Sequence, residues 1–413
     1  MLPQTIHLPD MKPFKIGLIT ERKSPPDHRV AFIPEQCNNL LAAYPHLTIV
    51  AERSAVRAIP DHEYEHEGIE IVEDMTDCDI LFGVKEVQKE NLIPGMTYCF
   101  FTHTIKRQNH NKAMLRRMMD LGCSVYDYEV ITDEQGTRTV AFGYYAGLVG
   151  AYSGIRGWGL RTGLFDILPA HQCGHYALLK RQIAQMPKLP PIKIVIAGRG
   201  RVGKGAKEML DAFGIRQVDK GPFLEKQYDE AVYTVLQSGD YYALPDDKQW
   251  DSAYFHQHPG AVHSIFEPYQ QVAGLLITTA FWHTDTPPLF TVADTQRPDF
   301  RIKLIADVTC DVEGFVPINL RASTIAAPFY DYDPATGQEA AAFSHPDHIT
   351  LMTVDNLPCE LPRDASCEFG RQLLDNFMPY LLGRDNGTAE RAKILDKGRL
   401  TPRFQYLAEW VNS

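Results

Sequence analysis

The sequence predicts an α/β fold of two Rossmann-like domains, each with a parallel sheet flanked by helices, and an active-site cleft between them. Three observations predict it. Short apolar runs alternate with amphipathic stretches in the first third of the chain, a glycine-rich turn follows the apolar run KIVIA, and 413 residues suit two domains. Strands that alternate with helices form parallel sheets covered on both faces.

The elements follow in order along the chain. The first domain is expected to contain helices at 34–41 and 108–121, and strands at 14–20, 47–51, 69–72, 79–84 and 96–102. Glycine and alanine at helical spacing over 141–185 predict long, closely packed helices. A second α/β unit is expected to begin at 193–197, with further strands at 215–218, 273–279 and 302–308.

The domain boundaries follow from this order of elements. Residues 1–140 and 335–413 are expected to form a discontinuous substrate and catalytic domain, and residues 141–334 a nucleotide-binding Rossmann domain. The segment 238–263 is polar and aromatic without a clear period, which predicts an insertion or long loop. The last predicted element is the helix after Pro362, ending at 378–382.

Composition excludes several classes of function. A formal charge of −11 without a basic patch argues against a nucleic-acid partner. No apolar run approaches the ~20 residues of a membrane span, and the N-terminus does not resemble a signal peptide. The eight cysteines form no CxxC pair, which indicates reduced thiols. We therefore expect a cytoplasmic protein that acts on a small molecule, as a monomer or homo-oligomer.

The sharpest motif is the turn GRGRVG at 198–203, which follows an apolar strand and opens a helix. Gly198 permits a tight turn, Gly200 lets the backbone approach a diphosphate, and Gly203 lets the helix pack against the strand. Asp219 follows the next predicted strand, about 20 residues further on, where a carboxylate binds the ribose hydroxyls of NAD. The cation Lys220 beside it would tolerate the phosphate of NADP.

The same residues suggest a rival interpretation. Residues 198–204 also fit the pattern GxxxxGK of nucleotide triphosphatases. A P-loop requires serine or threonine at the next position to hold magnesium, and position 205 is glycine. The missing hydroxyl and the presence of Asp219 favour the dinucleotide interpretation.

Two ionisable side chains each follow an apolar strand of the first domain. Lys85 ends DILFGVKE, and His103 ends MTYCFFTH. Ligands of open parallel sheets bind at the carboxyl ends of the strands. Burial and a nearby cation such as Lys106 would lower the pKa of Lys85 toward neutrality, as proton transfer requires. Taken singly, either residue is equally well explained as a polar strand end.

Further stretches identify a resemblance. The chain resembles the lysine-forming saccharopine dehydrogenases, relatives of alanine dehydrogenase and of the transhydrogenase nucleotide-binding subunit, over most of its length. The markers are DHRVAFIP at 27–34, GVKE at 83–86, FFTHTIK at 100–106, the stretch at 126–147, GRGRVGKGA at 198–206, DVTCD at 307–311 and VDNLPCELPRDAS at 354–366. The extra charge within the turn, the KGPFLEK that follows Asp219, and the longer segments at 238–263 and 330–345 depart from the family pattern.

The resemblance implies roles for individual residues. Lys85 and His103 match an acid–base pair, and Glu86, Glu129 and Lys106 match groups around the substrate. Arg29 and Arg138 match arginines that bind its carboxylates, as their planar forks allow. Asp311 matches an acid near the nicotinamide. The residues expected to bind the cofactor are Gly198, Gly200, Arg201, Val202, Gly203, Asp219, Thr279, Asp307 and Asp311.

The implied reaction is NAD-dependent oxidation of saccharopine to lysine and 2-oxoglutarate, with NADP the less favoured cofactor. One alternative is an alanine dehydrogenase or other amino-acid dehydrogenase of the same superfamily. A second is a regulator that kept the nucleotide fold and lost catalysis, although the Lys–His pair is intact. Two metal-like patterns, HEYEH at 62–66 and HQCGH at 171–175, lack the helix length or ligand set that zinc requires, so no metal is expected.

Overall fold

The structure is a computed structural model and describes residues 12–413. The strands of the described chain are β1 Phe14–Leu18, β2 Leu47–Glu52, β3 Glu70–Val72, β4 Ile80–Phe82, β5 Thr97–Phe100, β6 Ser124–Asp127, β7 Lys193–Ala197, β8 Arg216–Gln217, β9 Val232–Leu236, β10 Tyr242–Ala243, β11 His263–Ser264, β12 Leu275–Thr278, β13 Leu304–Asp307, β14 Phe329–Asp333, β15 Gln338–Ala340, β16 Ile349–Met352, β17 Lys393–Asp396 and β18 Arg399–Leu400.

The α-helices are α1 Pro34–Ala43, α2 Asp61–His66, α3 Lys112–Asp120, α4 Gly143–Thr162, α5 Ala170–Cys173, α6 Tyr176–Ala184, α7 Arg201–Ala212, α8 Lys220–Glu225, α9 Ser238–Tyr241, α10 Ser252–Gln257, α11 Glu267–Gln270, α12 Pro362–Asn376, α13 Met378–Leu381, α14 Thr388–Ala392 and α15 Ala408–Asn412. Short 3₁₀ helices lie at Lys89–Asn91, Asn109–Asn111, Tyr128–Val130, Pro245–Asp247, Pro259–Ala261, Ala293–Gln296, Leu357–Glu360 and Pro402–Leu407.

The chain divides into two compact units. Unit 1 contains the residues up to Phe142 together with Pro362–Ser413, and unit 2 is Gly143–Leu361. The sequence suggested a return to the first domain at residue 335. The chain instead returns at Pro362, because β16 pairs in parallel with β13 and β14 pairs with β16, which keeps 329–352 in the second sheet.

Unit 1 is built on a sheet of order β18-β17-β6-β5-β4-β1-β2-β3. The strands from β6 to β3 pair in parallel, so their carboxyl ends meet at one edge. The antiparallel strands β17 and β18 come from the C-terminal segment, beyond the last element that the sequence predicted. This segment completes the sheet, and its Ile394 and Leu395 are fully buried in the core of unit 1.

Unit 2 is built on a sheet of order β15-β14-β16-β13-β12-β7-β9-β8. Alternate residues of β7 enter different cores: Ile194 and Ile196 lie in one, and Val195 and Ala197 in the other. Both faces of the sheet are therefore covered, as its continuous apolar strands predicted. The neighbours of β7 are β12 on one side and β9 on the other, while β8 forms the edge.

The long helix α4 packs against α7, the helix that the glycine-rich turn opens. A Cβ atom on Gly147 would lie 1.8 Å from the Val202 carbonyl oxygen, and one on Gly205 would lie 1.9 Å from the Tyr144 oxygen. Only glycine fits such a close approach of two backbones. The predicted close packing of small residues is confirmed here, and it fixes the position of α7.

The segment 238–263 is more ordered than the sequence suggested. It contains α9, α10 and the antiparallel pair β10–β11, and Tyr241, Tyr242 and Val262 are buried in a core of unit 2. These two tyrosines therefore serve packing. Among residues 12–413, no helix combines the length and apolarity that crossing a membrane requires.

Candidate active site

The carboxyl edge of the unit 1 sheet gathers most of the predicted catalytic and substrate-binding residues. Lys85 and Glu86 follow β4, His103 follows β5, and Glu129 follows β6. Because these strands are neighbours, Phe101 donates its N–H to Val84 at 3.1 Å and brings the two strand ends side by side. The fifth predicted residue, Lys106, is exposed in the turn beyond His103.

Lys85 is held at this edge by a carboxylate that the sequence analysis missed. The Glu21 carboxylate accepts the backbone N–H of Val84 at 2.6 Å and that of Lys85 at 3.0 Å. Burial lowers the pKa of the Lys85 ammonium, and the positive charges of Arg29 and Lys23 lower it further. The sequence pointed to Lys106 as the cation with this effect, but the effect comes from the loop after β1.

Glu21 itself is in an unusual state. Its side chain is 8% exposed, and burial together with the negative charge of Asp27 raises its pKa to about 8. The two backbone N–H groups oppose that rise, since they stabilise the ionised form. A carboxyl group that titrates near neutrality thus contacts the backbone of the candidate base.

The Glu86 carboxylate contacts both His103 and Lys23. Its Oε2 lies 3.2 Å from Nδ1 of His103, and its Oε1 lies 2.9 Å from Nζ of Lys23. Burial alone would raise the pKa of Glu86, but the contacts with His103 and Lys23 hold it well below its usual range. Glu86 therefore remains a carboxylate that orients the imidazole.

His103 adopts an uncommon backbone conformation, with φ of 51°. Such a conformation costs a non-glycine residue about 1–3 kcal/mol and persists only where its surroundings enforce it. Thr102 supplies that enforcement, because its N–H and hydroxyl both bond to the buried Asp127 and its hydroxyl lies 2.6 Å from that of Thr104. Strain at this position is typical of functional sites.

Asp127 is a further acidic residue at this edge, at the end of β6. The side chain is fully buried, and it also accepts the N–H of Glu129 at 2.7 Å. Burial and the negative charge of Glu129 raise its pKa to about 6. Asp127 therefore joins the ends of β5 and β6.

Arg29 is buried, and its fork already holds a carboxylate. Its Nε and Nη2 lie 2.9 and 2.5 Å from the two carboxylate oxygens of Asp27, and its guanidinium lies 4.1 Å from the centre of the Phe142 ring. The expected role of Arg29 in binding a substrate carboxylate stays a prediction. The geometry adds that Asp27 would share the guanidinium with that substrate.

The side chains of Arg138 and His103 both lie near the ring of Phe101. The His103 ring stacks on Phe101 with an interplanar angle of 15°, and the Arg138 guanidinium lies 5.2 Å from the same ring centre. Nη1 of Arg138 is 3.9 Å from the Glu129 carboxylate. The structure thus brings the predicted imidazole, arginine and carboxylate around Phe101.

The glycine turn of unit 2 is shaped by close contacts. Gly198 has φ of 120°, and a Cβ there would lie 2.6 Å from the Ala280 nitrogen. A Cβ on Gly203 would lie 2.1 Å from the Gly198 oxygen, whereas one on Gly200 would meet no described atom within 4 Å. The hydroxyl of Thr279 donates to the carbonyl oxygens of Ala197 and Gly198, so Thr279 supports the turn from beneath.

This arrangement fits a diphosphate. Gly200 caps α7 and has no side chain to bond to the first-turn N–H groups, which include those of the predicted residues Arg201 and Val202. Those N–H groups and the dipole of a 12-residue helix favour an anion at that end. The open side of Gly200 allows such a group to approach the backbone.

The strand order changes the expected ribose site. The sequence analysis placed the ribose acid at Asp219 because it follows the next strand in the chain. That strand is β8 at the sheet edge, and Asp219 is exposed at the start of α8, where its side chain forms no capping hydrogen bond. The strand beside β7 is β9, and the acid that follows it is Asp240, which forms a 2.5 Å ion pair with Lys220.

Asp307 orders a loop. Its carboxylate is fully buried and accepts from Thr278 at 2.5 Å, from Asn319 at 2.8 Å and from Thr309. Its contact with the cofactor stays a prediction, and these three donors already occupy its carboxylate. Asp311, four residues further on, is exposed.

The residues that sequence reasoning missed share one signal. Glu21, Asp127 and Asp240 each lie at or just beyond the carboxyl end of a parallel strand. Their positions could have been found by extending the strand-end argument to every strand. Their partners could not, since they come from distant parts of the chain.

The two metal-like patterns have other uses in the structure. In α2, Tyr64 is buried and donates to the Phe32 oxygen at 2.7 Å, while Glu63 pairs with Arg363 at 2.5 Å. His171 lies 3.4 Å from Glu360. Within the described part of the chain, no group of three or more His, Cys, Asp or Glu side chains is arranged to hold a metal ion.

Comparisons with known proteins show what the chain is similar to. Residues 17–149 match the family described as alanine dehydrogenase/PNT, N-terminal domain. An Arabidopsis thaliana alpha-aminoadipic semialdehyde synthase is 27% identical over 95% of this chain, and a lysine-forming, NAD-dependent saccharopine dehydrogenase of Neurospora crassa is 25% identical over 93% of it. The chain covers 41% of the first protein and 96% of the second.

The fold has a solved counterpart. An L-alanine dehydrogenase superposes with a TM-score of 0.63 and 18% identity, and covers 96% of this chain and 100% of its own. The predicted fold class, with two mostly parallel sheets flanked by helices, is thereby confirmed. The chain is similar over most of its length to lysine-forming saccharopine dehydrogenases, and its residues 17–149 match the alanine dehydrogenase/PNT N-terminal domain family.

Proposed function

We propose that this chain is a nicotinamide-dependent dehydrogenase that converts saccharopine, NAD and water to lysine, 2-oxoglutarate and NADH, in a reversible reaction. The observation that carries the proposal is the cluster at the carboxyl edge of unit 1. There a half-buried lysine with a lowered pKa lies next in sequence to Glu86, whose carboxylate contacts a strained histidine. The homology to lysine-forming enzymes supports the choice of substrate.

The dinucleotide belongs to unit 2 in this proposal. The turn at Gly198, Gly200 and Gly203 and the first-turn N–H groups of α7 would hold the diphosphate. A bound nicotinamide would accept a hydride from the carbon beside the secondary amine of saccharopine.

The side chains of unit 1 manage the protons. Lys85, whose lowered pKa favours the neutral amine, removes the proton from the substrate amine before hydride loss. His103, oriented by Glu86, transfers protons as water adds to the resulting imine and lysine departs. Arg138 and Arg29 bind the substrate carboxylates, and Arg138 presents its guanidinium beside the imidazole on Phe101.

A substrate panel tests this function. Oxidation of NADH, followed at 340 nm with the full chain, should require L-lysine and 2-oxoglutarate together, and neither alone should support it. Oxidation supported by pyruvate and ammonia instead would assign alanine dehydrogenase chemistry, the alternative within the same superfamily. No oxidation with any amino and oxo acid pair, despite measurable NADH binding, would leave a nucleotide-binding regulator.

A further inference from the structure

We infer that Asp240 and Lys220 together decide whether the chain takes NAD or NADP, with Asp240 receiving the ribose hydroxyls and Lys220 a 2′-phosphate. This inference rests on the proposed function and replaces the expected role of Asp219. It concerns two residues on elements that are distant in sequence and adjacent in space.

The order of strands in the unit 2 sheet places β9, and not β8, beside β7. In a nucleotide-binding sheet of this type, the ribose contacts the end of the strand beside the one that leads into the glycine turn. Here that strand is β9, because it pairs with β7 along its whole length, from Lys193 with Val232 to Ala197 with Leu236. The strand β8 pairs only with β9 and is one position further from the turn.

Two hydrogen bonds, one on each side of the Leu236–Gln237 peptide, connect the glycine turn to Asp240. The N–H of Gly198 donates to the Leu236 oxygen at 2.9 Å, which ties the glycine turn to the last residue of β9. The next residue, Gln237, donates its N–H to the Asp240 carboxylate at 2.9 Å. Asp240 is thus anchored one residue from the contact with the turn.

Lys220 and Asp240 carry opposite charges and form an ion pair. Lys220 opens α8 and places Nζ 2.5 Å from Oδ1 of Asp240. The carboxylate side chain is 11% exposed and the lysine 47%, so the lysine can turn toward solvent while the carboxylate stays fixed. An acid accepts hydrogen bonds from the ribose hydroxyls and repels a 2′-phosphate, whereas a cation accepts that phosphate.

Direct binding tests the pair without relying on turnover. Dissociation constants of NADH and NADPH are measured by isothermal titration calorimetry on the full chain. Asp240→Asn keeps an oxygen that can accept the Gln237 N–H, so folding is retained, yet NADH affinity should fall about 10-fold and NADPH affinity should not fall. Lys220→Met should weaken NADPH about 10-fold and leave NADH within twofold.

Two further variants complete the design. Glu230→Gln breaks a comparable exposed ion pair, with Arg216 at 2.8 Å, and should leave both affinities unchanged. Asp219→Asn should also change neither. Opposite shifts of the NADH-to-NADPH ratio in the Asp240 and Lys220 variants would support the inference.

The contrary outcomes are distinct. Nucleotide binding with the same ratio in both variants, or a ratio that responds to Asp219→Asn alone, would overturn the role of the pair and leave the proposed function intact. Wild-type chain that binds neither nucleotide would overturn both. If Asp240→Asn does not fold, the surface variant Lys220→Met decides the question by itself.

Discussion

The carboxyl edges of the two sheets are built from different chemical groups and are suited to different tasks. At the edge of unit 1, charged side chains from three strands and the loop after β1 form a network in which Glu86 contacts His103 and acts electrostatically on Lys85. At the edge of unit 2, the turn between β7 and α7 is fixed by steric contacts of glycines and by backbone groups. Proton chemistry needs tunable side chains, whereas holding a diphosphate needs little more than correctly placed N–H groups.

This difference predicts different kinds of damage. Substitutions in unit 1 should change rates and pH profiles while the chain keeps its fold and its affinity for nucleotide. Substitutions in the turn of unit 2 should change nucleotide affinity, and some of them should change stability as well.

The largest effect is expected at Lys85. Lys85→Met retains the length of the side chain and removes the base, so kcat should fall by about 10²–10⁴-fold. The NADH dissociation constant should stay within about twofold, because no part of the turn changes. Lys89→Met, an exposed lysine on the same loop, is the matched control and should retain full activity. Equal turnover in the two variants would remove Lys85 from the mechanism.

The glycine turn offers a paired test within one motif. Gly203→Ala places a Cβ 2.1 Å from the Gly198 oxygen and should weaken NADH binding about 100-fold, with the melting temperature lower by about 3–10 °C. Gly200→Ala adds the same methyl where no described atom lies within 4 Å, so stability should be unchanged while NADH binding weakens about 10-fold. Calorimetry and thermal unfolding measure both. Equal losses of stability in the two variants would contradict the division of roles between these glycines.

Sequence reasoning succeeded where the requirement is local. The glycine spacing, the apolar strand before it and the helix after it all lie within 193–212, and the structure has β7 and α7 there. The same holds for Lys85 and His103, because a polar residue after an apolar strand marks a strand end without knowledge of its neighbours.

It could not determine features that depend on strand order or on distant partners. Asp219 was chosen because β8 follows α7 in the chain, but hydrogen bonding places β9 beside β7. The cation near Lys85 was expected at Lys106, and it comes instead from the loop after β1. Asp307 was expected at a ligand, yet three neighbouring donors bury its carboxylate. None of these pairings has a signature in residue order.

The smallest predicted effect concerns the positive charge of Lys23 and its influence on the pKa of Lys85. Removal of the positive charge in Lys23→Met makes protonation of Lys85 easier, so the pKa of Lys85 should rise. The same change leaves Glu86 without its 2.9 Å partner, and the added negative charge raises the pKa of Lys85 in the same direction. In saccharopine oxidation the neutral amine is the active form, so the acid limb of the kcat/KM profile should move to higher pH by about 0.5 unit.

The sign and the salt dependence of that shift identify its cause. Lys23 is 35% exposed, so added salt should screen its charge and reduce the difference between variant and wild type. The control Lys89→Met removes an equal charge from the loop beyond Lys85 and should leave the limb in place. An acid limb that moves to lower pH in Lys23→Met, or that moves equally in both variants, would mean that Lys85 is not the group whose ionisation the profile reports. Burial and the specific positive charges of Arg29 and Lys23, and not the net charge of the edge, are what lower the pKa of the Lys85 amine.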